Sequence, residues 1–95
     1  MEQVKIKIGP VTFDYADYDG DSDVLYLHVG KPQAAEGEET PEGHVLRYAP
    51  GTPDIVGLTV LGARRLLDRD GNLTVTIPEP IEASADDLAP ALAAI

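Results

Sequence analysis

Hydrophobic and polar positions alternate with a period of two along most of this chain, and that alternation predicts strands. Val4, Ile6 and Ile8 alternate with Lys5 and Lys7. After Gly9–Pro10, Val11, Phe13 and Tyr15 alternate with Thr12 and Asp14. Asp19–Gly20 is a strong turn signal and Val24–Val29 a third strand, so 11–29 reads as a hairpin. In that third strand Leu25, Leu27 and Val29 share one face, and Val24, Tyr26 and His28 share the other. Gly30–Gly43 is rich in Gly, Pro and Glu, lacks an apolar pattern and predicts a mobile acidic loop. His44–Ala49 predicts a fourth strand, 50–54 a turn and Ile55–Leu61 a fifth strand. Val56, Leu58 and Val60 lie on one face of the fifth; Ile55, Thr59 and Leu61 lie on the other. Gly57 in mid-strand predicts a bulge or close packing.

The last third changes character. Ala63–Asp68 predicts one or two helical turns, and Arg69–Asn72 a turn. Leu73, Val75 and Ile77 alternate with Thr74 and Thr76 as a strand that Pro78 and Pro80 stop. Ser84 suits a helix N-cap, with Asp86 and Asp87 in the positive first turn. Leu88, Leu92 and Ile95 make an apolar stripe, while Pro90 predicts a kink or a break. Short turns between successive strands favour antiparallel pairing. The expected fold is therefore α+β, mainly β. It is an antiparallel sheet of five to six short strands, with a short helix after the fifth and a C-terminal helix packed on the sheet. The 95 residues make a single domain, 1–95.

Charge narrows the functions. The net charge is −10 and uneven: residues 14–54 carry −8 of it. A field of that sign repels phosphate backbones, so nucleic acid and anionic membranes are not expected partners. No cysteine is present, which removes disulfides, thiolate metal sites and a cysteine nucleophile, and fits a cytoplasmic location. Met1–Pro10 carries Glu2, Lys5 and Lys7 and does not read as a signal peptide, and no apolar run approaches a membrane span.

Tyr18–Asp19, then Asp23–Val24–Leu25–Tyr26–Leu27, is followed by Gly43–Tyr48 and by Asp54–Ile55–Val56–Gly57–Leu58 running on to Ala63. In order and spacing these residues resemble a small, mostly bacterial family, the domain of unknown function 2283. The resemblance covers roughly residues 11–68. The strand at 4–8 and the residues from 69 to 95 stand outside it as extensions. The resemblance implies a compact sheet with a short helix, no established catalytic residue, and companionship with small toxin-like proteins.

Three groups of residues could carry chemistry. Asp17, Asp19, Asp21 and Asp23 alternate through a turn and could converge on Ca²⁺ or Mg²⁺. They do not form an EF-hand loop: counted from Asp17, the glycine position holds Ser22 and the last acidic position holds His28. A solvated hairpin turn explains the same run. His28, with Tyr26 beside it, Tyr48 brought near if the third and fourth strands pair, and a nearby Asp, could do acid–base work, or these side chains simply lie on a half-exposed sheet face. No nucleophile elbow or phosphate-binding glycine loop accompanies them, so no enzyme and no cofactor is expected. Glu36, Glu38, Glu39 and Glu42 form either a solvated linker or a docking strip for a basic protein. Arg64, Arg65 and Arg69 make the one basic cluster, flanked by Asp68 and Asp70, and read as local ion pairs on a short helix ahead of a phosphate site.

The ranking that follows is a non-catalytic protein-interaction module, with toxin neutralisation as one instance. A divalent-cation or small-ligand binder using the Asp17–Asp23 turn comes next, and an enzyme using His28 last. A homodimer is expected as well, because Val24, Tyr26, Ile55 and Leu61 point away from the face that a helix would cover.

Overall fold

The alternation at 4–8, 11–15 and 24–29 becomes three consecutive antiparallel strands. In the computed structural model, which describes residues 2–31, 33–77 and 79–92, these are β1 (Glu2–Ile8), β2 (Val11–Asp19) and β3 (Val24–His28). A second meander follows: β4 (Glu36–Glu39), β5 (Val45–Tyr48) and β6 (Ile55–Leu61). The two meanders join through β3 and β6, giving one six-stranded antiparallel sheet in the order β1-β2-β3-β6-β5-β4. The chain then forms α1 (Ala63–Asp70), the hairpin of β7 (Asn72–Thr76) and β8 (Pro80–Ser84), and α2 (Ala85–Leu92). The fold is α+β, mainly β, with the C-terminal helix on the sheet.

One face of the main sheet makes the core. Ile6, Ile8, Phe13, Leu25, Leu27 and Leu58 are all at most 1% exposed. Leu73 and Val75 of β7 and Leu88 and Ala91 of α2 close over them in the same cluster. Burying Phe13 alone stabilises by about 1.5–3 kcal/mol. β1 and the segment after residue 68 supply eight of the 17 buried residues of this cluster. They complete the core rather than form a separate unit.

Caps fix both helices. Gly62 precedes α1 at φ 72°, and Gly71 ends it at φ 77°, its N–H donating to the Leu67 carbonyl at 2.8 Å. That left-handed cap suits glycine. Ser84 caps α2 as expected: the Asp87 N–H donates to Ser84 Oγ at 3.1 Å, and the Ser84 N–H donates to Asp87 Oδ2 at 2.9 Å. Gly57 sits where β6 meets β3. A Cβ there would lie 3.1 Å from the Leu27 carbonyl oxygen, so close packing explains this glycine.

The structure corrects several expectations. Part of the supposed loop at 30–43 is a strand, because Glu36–Glu39 pairs with β5 along the sheet edge. All four residues of β4 are exposed, so neither of its faces needs apolar side chains. Pro80 does not end a strand but begins β8, a first-residue position where the missing N–H costs nothing. α2 continues through Pro90 rather than breaking there. Ile95, the last member of the expected stripe, and Pro78 lie outside the described residues. Ile55 is not on the open face. The register slips between Arg47 and Tyr48, Val56 becomes the extra residue, and Ile55 turns to pack on the core.

Candidate functional site

The four aspartates of the first turn do four different things. Asp17 stands in register with Tyr26 on the sheet face away from the core. Asp19 Oδ1 accepts the Asp21 N–H at 3.0 Å, closing the turn. The Ser22 hydroxyl and that N–H hold the Asp19 carboxyl below its ordinary pKa. Asp21 is exposed. Asp23 takes a left-handed conformation, φ 56°, which short polar residues tolerate. Its Oδ1 accepts the Tyr18 hydroxyl at 2.6 Å and the Arg64 N–H at 2.9 Å, and its Oδ2 accepts the Arg65 N–H at 3.1 Å. Asp23 is thus the N-terminal cap of a helix some forty residues further along the chain. Burial pushes this carboxyl up, but the Tyr18 hydroxyl and the two helix amides overcome it, leaving the pKa lowered. Arg64 lies over the Tyr18 ring, 5.8 Å from its centroid. Among the described residues no three His, Asp or Glu side chains converge as metal ligands would.

The glutamates divide as well. Glu36, Glu38 and Glu39 are exposed along β4, the last strand of the sheet, and no side-chain hydrogen bond engages them among the described residues. Glu42 belongs elsewhere. Its Oε1 accepts the Thr76 N–H at 2.9 Å, and its Oε2 accepts the Thr76 hydroxyl at 2.7 Å. Burial raises this carboxyl, and the two Thr76 bonds outweigh that and lower it. Glu42 is a strut to β7, not part of a free docking strip.

The histidines are separated. His44 is 2% exposed in the β4–β5 turn. Its Nδ1 accepts the Leu61 N–H at 3.2 Å, so that nitrogen carries no proton. Burial lowers the His44 pKa, against an upward pull from Glu42. His28 lies on the open face between Tyr15 and Gly57, in the row that holds Arg47. Burial lowers its pKa, Arg47 lowers it further and Asp17 opposes them. Tyr48 is not its neighbour: β6 lies between β3 and β5, and Tyr48 packs on the core.

An open groove of about 430 Å³ lies between the β1–β2 and β5–β6 turns. Pro10, Val11, Val29, Pro53 and Ile55 make its walls, with Thr12 and Asp54 as polar members. Neither histidine lines it. Asp23 and Glu42 were legible only as acids, because their partners lie 41 and 34 residues away. The arginine cluster contributes backbone amides rather than guanidinium groups to Asp23, which side-chain composition does not signal. In comparisons with known proteins, no family model, no curated protein and no solved structure matches this chain.

Proposed function

We propose that this chain is a non-catalytic protein-interaction module that receives a basic strand of a partner protein along β4. One observation carries the reading: β4 is a free sheet edge with three exposed carboxylates, Glu36, Glu38 and Glu39, in four residues. A free edge offers unpaired main-chain donors and acceptors to an incoming strand. Its charge selects a Lys- or Arg-bearing strand and speeds the encounter. The same charge keeps two β4 edges from pairing with each other. The family resemblance over residues 11–68 belongs to this proposal and makes neutralisation of a small toxin-like protein one instance of it.

The test is affinity capture from native lysate at low and high salt, with Glu36, Glu38 and Glu39 all changed to Gln as the comparison. A stoichiometric basic protein, lost at high salt and lost with the triple variant, is the expected result. Glu42→Gln should leave capture intact, since Glu42 faces Thr76. A partner that binds the triple variant equally well overturns the reading.

A further inference from the structure

The sheet face turned away from the core carries an apolar band together with charges of both signs. Following the register across the strands, Asp17, Tyr26, Thr59, Val45 and Glu39 make one row. Tyr15, His28, Gly57 and Arg47 make the row on one side of it, and Asp19, Val24 and Leu61 the row on the other. Val24, Tyr26 and Val45 are only half-buried, and none belongs to the core cluster. Leu61 is 45% exposed, the one large hydrophobic side chain among the described residues that stands so open. Both helices and the β7–β8 hairpin contribute their buried side chains to the opposite face.

Charge orders this apolar band along the strand direction. Arg47 lies over Gly57; a Cβ on that glycine would meet Arg47 Cδ at 3.4 Å, which places the arginine on this face. Lys5 and Lys7 alternate with the buried Ile6 and Ile8 and are exposed towards the same end. Asp17 and Glu39 close the two ends of the middle row, one step along the strands from the row of Arg47, and Asp19 lies one step further in the same direction. A wholly basic partner would meet Arg47 and the lysines, and a wholly acidic one would meet the three carboxylates. A surface with the same two-signed pattern, turned end for end, opposes neither.

We propose that a second copy of this chain covers this face, related by a twofold axis that runs between the two sheets and across their strands. Each Arg47 then meets Glu39 of the other copy, and Val24, Tyr26, Val45 and Leu61 of both copies fill the space between. A patch that contacts itself is the requirement of an isologous twofold interface. The product is a sandwich of two aligned sheets. β4 keeps its open edge, with Glu36 and Glu38, in this arrangement; Glu39 is the one residue this proposal shares with the partner strand proposed above, and Leu61→Glu tests the dimer without touching that strand.

Sedimentation velocity of the purified full chain, from low to high micromolar concentration at low salt, tests it. The wild type should be a dimer. Leu61→Glu changes an exposed side chain, so the fold should persist by circular dichroism while dimer affinity falls at least about tenfold. Arg47→Glu and Glu39→Arg should each weaken the dimer, and the chain carrying both changes should recover it, because the reversed charges meet again across the twofold axis. A monomeric wild type throughout the range overturns the proposal. So does a dimer indifferent to Leu61→Glu, which would use another face, or a double variant that fails to recover, which would use another arrangement.

Discussion

The β2–β3 turn and the β4–β5 turn lie at the same end of the main sheet, on either side of the point where β6 leaves for α1. In sequence they are alike, each a short polar run that, with the strand end before it, carries several acids. In the structure each gives up one carboxylate to the layer beyond the sheet and leaves its other acids in water. Asp23 takes the first amides of α1, and Glu42 takes the backbone and hydroxyl of Thr76 in β7. They differ in what sits behind the carboxylate. Behind Asp23 is a tyrosine hydroxyl that donates to it; behind Glu42 is a buried histidine that accepts from Leu61. Net charge is therefore a poor guide to which acids face a partner. A carboxylate with backbone donors is part of the architecture, and only those without donors are available to something else.

Removing the first strut should have the largest effect. Asp23→Ala strips acceptors from two helix amides and from Tyr18, and puts alanine at positive φ. A loss of about 2–3 kcal/mol is expected in urea unfolding. Asp23→Asn keeps the backbone preference and should lose about half as much. Equal losses for the two would mean that the carboxylate charge, not the conformation, dominates.

The second turn should respond to pH in a way that the first does not. His44 is held neutral, with its pKa below the ordinary 6.5, so the unfolded chain binds more protons than the folded one in acid. Its contribution is complete above about pH 6.5 and is lost as pH falls through the folded value. His28, also lowered, adds in the same direction. Asp23 and Glu42 lose theirs only at lower pH, below the carboxylate range. Melting curves between pH 8 and pH 5 should show stability falling, and His44→Ala should flatten the step. At neutral pH that substitution should cost about 2 kcal/mol, since the Leu61 N–H loses its acceptor. An unchanged pH profile in the variant would place the step at His28.

Glu42→Gln is the mildest break. One acceptor for Thr76 survives, and the expected cost is about 1 kcal/mol by the same unfolding measurement. Gln at Glu36, Glu38 and Glu39 together should leave stability unchanged or raise it slightly, because three like charges on one strand repel. A larger loss from those three than from Glu42→Gln would reverse the division between strut and free edge.

Much of this fold could be read from the chain and some of it could not, for identifiable reasons. β1, β3 and β7 each bury one face and announce it by alternation; β6 announces the same face but also buries Gly57 and Thr59 on the other, and β2 follows its alternation only to Phe13, after which Tyr15 turns to the open face and Ala16 to the core. The Ser84 cap uses partners three residues apart, a distance that local pattern reaches. β4 buries neither face, and its pairing with β5 is stated by no residue of its own. Ile55 follows the alternation of β6 on paper, but one extra residue at Val56 turns it over. The pairing of β3 with β6, rather than with β5, is a choice between distant segments of similar character. The site residues fall under the same rule: Asp23, Glu42 and His44 look like solvated turn residues until the elements that they grip are brought to them.

The junction of the two meanders has a kinetic consequence. Within β1–β2–β3, and again within β4–β5–β6, every strand pairs with its neighbour in sequence, so each half can assemble through hairpins on a timescale of about 1–10 μs. Within the main sheet, only the pairing of Val24–His28 with Gly57–Leu61 requires a long segment to close, and that is the sheet's step where chain entropy is lost before contacts repay it. The search for the strand order of the main sheet thus reduces to one docking event between two preformed ribbons, before β7, β8 and α2 close the core. Gly57 sits at the point where they meet: a side chain there would press on the Leu27 carbonyl, so one residue without a Cβ sets how readily the halves find each other.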